Sequence, residues 1–186
     1  VIGGGKPTGI CGSGLIDTLA VCLQLGLMDE TGLLFSANEV SEPWNRYVGE
    51  DENGICICLT DEVRVTQADV RKIQLAKAPI AAGIQILLQE KGWQIKDIDQ
   101  VILAGGFGSY MRKESAAAIG LIPKGLVSCT RSVGNAAGEG AVSAALASEA
   151  RTELEQLQKQ MRYVELSTHE AFSDIFIREM SFTSSF

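Results

Sequence analysis

The strongest candidate for ligand chemistry is a glycine-rich turn in the second half of the chain. It reads Gly105-Gly106-Phe107-Gly108-Ser109 and directly follows the apolar run VILA, which predicts a buried strand. Glycines directly after a parallel strand let the backbone approach a ligand with no Cβ in the way, and free N–H groups at the start of a following helix attract anions. The alternative is a tight strand-to-helix turn without a ligand, because a single glycine-rich loop is a weak signal.

Three weaker candidates lie elsewhere in the chain. Gly12-Ser13-Gly14 precedes apolar residues at helical spacing, so Ser13 is predicted to be a helix N-cap. Asn135 opens the small-residue run NAAGEGA, whose composition fits ligand contact or close packing of two helices equally well. Lys77 lies in a predicted long helix, where a single lysine is usually a solvated charge.

Several other kinds of site are excluded by counting. The turn does not have the spacing G-x-G-x-x-G, and residues 123–130 hold no acid, so a dinucleotide-binding Rossmann site fits poorly. The run GGGK is followed by Pro7, so there is no Walker A loop. His169 is the only histidine, which leaves no His-based metal site and no Ser-His-Asp triad. Cys56 and Cys58 share one face of a strand, as core residues do, and we expect no metal site.

Composition narrows the function classes further. The 186 residues carry 16 Lys plus Arg and 23 Asp plus Glu, a net charge of −7, and 46% are apolar. This balance predicts one packed domain and argues against nucleic acid or a membrane surface as a partner. Five cysteines among apolar neighbours fit free thiols in a reducing compartment, and no apolar run could span a bilayer. We expect a cytoplasmic chain, and its start without Met indicates a piece of a longer protein.

The elements that would position these residues follow from periodicity. Residues 15–23 are apolar at helical spacing, and Gly26 should end that helix. The run at 55–59 predicts a strand that pairs back with 63–65 as a hairpin, and one or two short strands are expected within 28–54.

A long helix should follow the hairpin. Thr66 and Asp69 resemble a capping box, with Asp in place of Glu, and apolar residues then recur at helical spacing until Gly92. Pro79 lies inside this pattern and should kink the helix, because proline lacks a backbone N–H and clashes with the preceding turn.

The remaining elements alternate in type. We predict, in order, a short helix at 113–119, a strand at 126–130, a small-residue helix to about 148, an amphipathic helix at 149–162 and a last helix capped by Ser167-Thr168. The alternation predicts an α/β fold in which crossover helices join neighbouring parallel strands.

Five segments, taken in order, resemble one family. They are GICGSGLID at 9–17, TQADVR with QLAK at 66–77, LAGGFG at 103–108, IGLIP at 119–123 and VGNAAG at 133–138, and the tail YVELSTHEAF at 163–172 fits the same family. The family is the C-terminal ATPase domain of the reductive activators of corrinoid proteins. The resemblance covers nearly the whole chain.

The resemblance implies the fold of the acetate and sugar kinase, Hsp70 and actin superfamily, in which two ribonuclease-H-like lobes enclose a nucleotide. Residues 1–186 would be the second lobe, a mixed sheet flanked by helices. The turn at 103–109 would be the adenosine motif, 135–141 the connecting helix at the hinge, and the helix of Lys77 would flank the adenine. The candidate nucleotide-binding residues are therefore Gly12, Ser13, Gly14, Lys77, Gly105, Gly106, Phe107, Gly108, Ser109 and Asn135.

The resemblance also implies a function. The complete protein would couple ATP, bound with Mg²⁺, to the one-electron reduction of a Co(II) corrinoid to Co(I) on a partner protein of methyl transfer. The electron would come from a [2Fe-2S] cluster in an N-terminal domain. That domain and the Asp-Gly-Thr phosphate strand of the first lobe would lie before Val1, so this chain alone should bind nucleotide weakly and hydrolyse little.

Two other functions remain open at this point. One is a small-molecule kinase of the same superfamily. The other is a docking or homodimerisation module that uses residues 28–54 or the terminal helices. No catalytic residue is assigned in any of these hypotheses.

Overall fold

The computed structural model describes residues 2–183, with all their side chains except those of Ile2 and Phe107. Within this part of the chain the helices are α1 (Gly12–Leu25), α2 (Gln67–Lys91), α3 (Gly106–Tyr110), α4 (Lys113–Ala118), α5 (Ala136–Leu146), α6 (Ser148–Gln160) and α7 (Phe172–Arg178). The strands are β1 (Val48–Asp51), β2 (Gly54–Cys58), β3 (Arg64–Thr66), β4 (Val101–Leu103) and β5 (Thr130–Ser132). Short 3-10 helices cover Ile2–Gly4, Trp44–Tyr47, Ile95–Asp97, Lys124–Cys129 and Leu166–Thr168.

The start of α1 differs from the sequence prediction. Cys11, with an extended backbone, is the N-cap, and Ser13 is the second residue of the helix, so the prediction of Ser13 as N-cap is wrong. The Ser13 hydroxyl lies 3.3 Å from the Cys11 sulfur instead of capping a backbone N–H. The end of α1 is as predicted, because Gly26 adopts a left-handed φ of 67°.

An antiparallel sheet in the order β1-β2-β3 follows α1. The predicted hairpin of β2 and β3 is confirmed, with Ile57 opposite Val65, and β1 is one of the short strands expected before it. Ile57 and Val65 are buried in the same apolar cluster as Leu19 of α1. The sheet is therefore held against α1 by its inward face.

The capping box at the start of α2 is confirmed. Asp69 N–H donates to the Thr66 hydroxyl at 3.3 Å, and Thr66 N–H donates to the Asp69 carboxylate at 3.1 Å. The helix is unbroken at Pro79, where the sequence predicts a kink, and ends at Gly92 with a φ of 65°. Although α2 has 25 residues, neither it nor any other helix in residues 2–183 is long and apolar enough to cross a membrane.

The other two strands, β4 and β5, pair in parallel, as the predicted crossover topology requires. The burial of β4 was predicted wrongly, since its Ile102 is 51% exposed. Parallel and antiparallel pairing therefore occur in two separate sheets of the described chain, not in one mixed sheet.

The predicted strand at 126–130 is also wrong. Most of it lies in the 3-10 helix Lys124–Cys129, and β5 begins only at Thr130. The cause is a turn at Pro123, whose carbonyl accepts the Leu126 N–H at 3.0 Å. The Thr130 hydroxyl then donates to the Leu126 carbonyl at 2.6 Å, which closes the segment.

The last helices follow the predicted order with shifted ends. α5 and α6 are separate at Ala147, and α6 has no buried residue, as its amphipathic, charged sequence predicts. The predicted cap at Ser167-Thr168 is wrong, because these residues form a 3-10 helix and Ala171 is the N-cap of α7.

Two apolar clusters hold these elements together. The larger cluster joins α1, the β1–β3 sheet and α4 to Phe182 near the end of the described chain. The smaller cluster packs Ile175 of α7 against Ala82 and Ile86 of α2. One face of α2 therefore packs against the C-terminal part of the described chain.

Candidate functional site

Two glycine turns meet where β4 and β5 end. The strands are in register with Leu103 opposite Ser132, so their carboxyl ends lie side by side. Gly105 N–H then donates to the Gly134 carbonyl at 2.6 Å, and Val133 N–H donates to the Leu103 carbonyl at 3.0 Å. The turn after one strand is therefore bonded directly to the turn after the other.

The backbone of these turns faces open space. A Cβ placed on Gly105, Gly106 or Gly134 would meet no heavy atom within 4 Å. Gly105 and Gly134 also have φ values of 100° and 67°, which favour glycine. Gly108 is different, since its Cβ would lie 3.1 Å from the Leu103 Cβ, so this glycine permits packing against β4. The open glycines leave room for a ligand against the backbone.

The sequence was expected to form a loop at 105–109, but most of it is helical. α3 begins at Gly106 and Gly105 is its N-cap. The Ser109 hydroxyl donates to the Gly105 carbonyl at 3.2 Å, within this single turn. Of Phe107 only the backbone is described.

Asn135 lies beside this turn because it directly follows Gly134. Its carboxamide oxygen accepts the Gly138 N–H at 3.2 Å and so caps α5. Gly138 is needed here, because a Cβ on it would collide with the Asn135 carboxamide. Capping of α5 alone therefore explains why an asparagine stands at position 135. The residue also borders the open turns.

The third glycine motif opens a helix that contacts α3. Gly12, Ser13 and Gly14 form the first turn of α1, and α1 contacts α3. Gly12 is exposed, whereas a Cβ on Gly14 would lie 3.2 Å from the Ile10 side chain. Six of the ten predicted site residues therefore lie at the two bonded turns, and three more open α1.

Lys77, the tenth, does not join them. It is 1% exposed, and its ammonium donates to the Ser181 carbonyl at 2.5 Å and lies 5.7 Å from the centre of the Phe182 ring. Burial lowers the pKa of Lys77 to about 8, although the nearby Glu179 carboxylate raises it. The sequence predicted a solvated lysine or one beside an adenine. In this conformation it contacts neither solvent nor the glycine turns, but holds the C-terminal segment (residues 179–183).

A buried polar network that sequence reasoning missed surrounds Lys77. The Gln74 amide donates to the carbonyls of Thr31 and Met180, at 2.9 and 2.7 Å, and Arg71 donates to the Gln74 amide oxygen at 2.6 Å. Phe182 N–H donates to the Glu30 carbonyl at 2.8 Å. No local pattern could have revealed the bonds of Gln74 to Thr31 and Met180 or that of Phe182 to Glu30, because these partners are far apart in sequence.

A cavity of about 690 Å³ lies between α1 and α4. Phe182 and Thr183 close one side of it, and Arg112, Glu114 and Asp29 contribute charges of both signs. Its lining includes none of the glycine turns, so the candidate site is an open surface and not this cavity.

Metal ligands are not gathered in the described residues. No three of their His, Cys, Asp or Glu side chains form a group that could hold a metal ion. The cysteines at positions 11, 22, 56, 58 and 129 are free thiols. Burial raises the pKa of Cys22 to about 12, as for an inert core thiol.

Comparison with known proteins gives a family. A family model described as the C-terminal domain of RACo, the ASKHA domain, matches residues 1–185. ASKHA stands for acetate and sugar kinases, Hsp70 and actin. The match covers all the glycine motifs described above.

Two relatives extend this result. Corrinoid activation enzyme RamQ of Eubacterium limosum is 32% identical over 192 residues, which cover 98% of this chain and 32% of RamQ. A solved structure, described as a reductive activator for corrinoid, iron–sulfur protein, is 34% identical and gives a TM-score of 0.85. The match covers 97% of this chain and 29% of the chain in that structure. The chain thus spans about a third of the length of these relatives. The predicted superfamily and fold class are confirmed, and the chain belongs to the family of C-terminal ASKHA domains of RACo.

Proposed function

We propose that this chain forms the nucleotide-binding lobe of an ATP-dependent reductive activator of corrinoid proteins. The observation that carries the proposal is the meeting of two open glycine turns at the carboxyl ends of β4 and β5. Ligands of α/β sheets bind in the crevice outside the carboxyl ends of parallel strands. An adenine nucleotide is the ligand that fits an ASKHA domain with this turn.

The proposed nucleotide contacts come mainly from backbone. Gly105, Gly106, Phe107, Gly108 and Ser109 would lie under the nucleoside, and the open positions of Gly105 and Gly106 would let it approach the backbone. Asn135 would border it from the second turn. The first turn of α1, Gly12-Ser13-Gly14, would add N–H groups that favour an anion. Lys77 is left out of this set, because its ammonium is already bonded inside the protein.

The proposed reaction belongs to the longer protein. Hydrolysis of ATP to ADP and phosphate would drive one electron from a reduced [2Fe-2S] cluster to a Co(II) corrinoid, which yields Co(I) and the oxidised cluster. The names of the two relatives support corrinoid activation as the activity. Because the cysteines of this chain are dispersed, we assign the cluster to another segment, together with the residues that would hold Mg²⁺.

The partner in this proposal is a corrinoid protein of a methyl-transfer system, and the compartment is the cytoplasm. Five free cysteines support a reducing environment.

The test is nucleotide binding by a Gly106→Val variant of the full-length protein. The valine Cβ would enter the space proposed for the ligand, where no heavy atom lies within 4 Å apart from those of the chain neighbours and of the backbone of α3. We expect the affinity for a fluorescent ATP analogue to fall at least about tenfold, a loss of about 1.4 kcal/mol, with unchanged thermal stability. Titration followed by fluorescence measures the affinity.

Gly5→Val is the matched control. Gly5 is also exposed and open, and its φ is not in the left-handed region, but it lies outside the glycine turns. It should bind the analogue like the wild type. Equal affinity in Gly106→Val and wild type would refute the assignment of the turn to the nucleotide.

A further inference from the structure

One face of α3 is exposed, and Tyr110 carries the largest side chain on it. Gly106, Ser109 and Tyr110 are exposed and stand at positions i, i+3 and i+4, which share one face of a helix. Gly108 lies on the opposite side, where it is buried and packs against Leu103. Because that packing sets the orientation of α3, Tyr110 stands on the same face as the open position of Gly106.

The side chain of Tyr110 has no hydrogen-bond partner among the described residues. It is 81% exposed, and its hydroxyl group makes no hydrogen bond within residues 2–183. The Ser109 hydroxyl beside it is already engaged, since it donates to the Gly105 carbonyl at 3.2 Å. Single exposed aromatic residues are common on protein surfaces, so what distinguishes Tyr110 is its place directly after the glycine turn.

We infer that the ring of Tyr110 stacks on the purine base of the nucleotide. This role rests on the proposed function, in which the nucleotide takes the space over Gly106. Helical side chains lean toward the N-terminus of their helix, so the ring of Tyr110 borders the turn that precedes it. That turn includes Gly106, whose Cβ would meet no heavy atom within 4 Å apart from those of the chain neighbours and of the backbone of α3. The space beside the ring is therefore free for a base.

The base, and not the phosphates, is the part of the nucleotide that suits this ring. An uncharged aromatic ring offers its face to a planar base, whereas that face gives an anion neither a positive charge nor a hydrogen-bond donor. The N–H groups that favour an anion open a different helix, α1. Every base has a face that can stack, so Tyr110 adds affinity and orients the nucleoside without choosing among bases.

The test compares Tyr110→Ala and Tyr110→Phe in the full-length protein. Isothermal titration calorimetry measures the affinity for ATP. We expect Tyr110→Ala to bind ATP at least about tenfold more weakly, and Tyr110→Phe, which keeps the ring, to stay within about twofold of the wild type. Tyr163→Ala is the matched control, since that tyrosine is 80% exposed and lies outside the glycine turns, and it should bind like the wild type. All three variants should keep the thermal stability of the wild type, because the substituted side chains are exposed.

A second measurement reports the stacking itself. The triphosphate of 2-aminopurine riboside loses fluorescence when its base stacks on an aromatic ring, so at saturating protein it should be quenched by the wild type and by Tyr110→Phe but not by Tyr110→Ala. Equal quenching by Tyr110→Ala overturns the inference. Wild-type ATP affinity in Tyr110→Ala also overturns it, and the proposed function still stands if Gly106→Val has lost that affinity. If both Gly106→Val and Tyr110→Ala bind ATP like the wild type, the proposed function fails as well.

Discussion

Lys77 is the residue whose environment departs most from its sequence context. A charged ammonium that is 1% exposed loses most of its hydration, and a carbonyl at 2.5 Å with an aromatic ring nearby replaces only part of it. Glu179, also buried, offsets some of this cost through its charge. The side chain has little space, because a Cβ on Gly120 would lie 3.0 Å from its nitrogen.

Because the pKa of Lys77 is lowered, the free energy of unfolding should change with pH in the alkaline range. Burial lowers the pKa of Lys77 from 10.5 to about 8 in the folded chain. Between these values Lys77 therefore keeps its proton in the unfolded chain and has released it in the folded chain. The free energy of unfolding should therefore rise as the pH increases from about 8 to about 9. Above pH 9 the raised pKa of Cys22 acts in the opposite sense, because the unfolded chain there releases a proton that the folded chain keeps. Urea denaturation between about pH 8 and about pH 9 measures the effect.

Lys77→Met should remove this rise, because methionine has no proton to release. Lys96→Met, at an exposed lysine, is the control and should retain it. A rise of the same size in Lys77→Met would show that another group titrates.

Among the elements, α2 organises most of the described chain. Its first turn follows β3 directly, its middle binds the C-terminal segment through Gln74 and Lys77, and its second half packs on α7. The helix depends on its N-terminal cap, where Thr66 and Asp69 satisfy each other's backbone N–H groups.

Removal of the cap should destabilise the protein measurably. Thr66→Ala leaves the Asp69 N–H without its side-chain acceptor, and we expect a loss of about 1 kcal/mol in the free energy of unfolding. Chemical denaturation measures it. Thr8→Ala is the control, since Thr8 is exposed, and it should change stability by less than about 0.5 kcal/mol. Equal stabilities of the two variants would contradict a structural role for the cap.

Local signals explain which elements could be predicted. The capping box and the glycines at 26 and 92 act through neighbours a few residues away, so the sequence reveals them. The prediction of a strand at 126–130 failed. The apolar composition of this segment fits a strand, but the hydrogen bond to the Pro123 carbonyl favours a 3-10 turn. For the candidate site, the glycine positions could be predicted, but the contacts of Lys77 could not, since Ser181 is 104 residues away.

At the scale of the whole molecule, the C-terminal segment closes the core. Phe182 is 3% exposed within the larger apolar cluster, and a Cβ on Gly32 would lie 3.0 Å from its ring. Its N–H and the Ser181 hydroxyl both donate to the Glu30 carbonyl, at 2.8 and 2.9 Å. The end of the described chain is thus packed against residues from its first fifth.

Truncation of this aromatic side chain should loosen the whole core. Phe182→Ala removes a buried ring, and we expect a loss of about 3–5 kcal/mol in the free energy of unfolding. Tyr163→Ala is the matched control, because that ring is exposed, and it should alter stability by less than about 0.5 kcal/mol. Denaturation curves measure both. A loss in Phe182→Ala no larger than in the control would mean that the core is closed without this segment.

The same closure has a consequence for synthesis on the ribosome. Glu30 and Ser181, which bond to each other, are 151 residues apart. α1 and the antiparallel sheet emerge early but cannot complete their core until residues 180–183 have left the exit tunnel. During that interval the nascent chain exposes apolar surface that chaperones can bind.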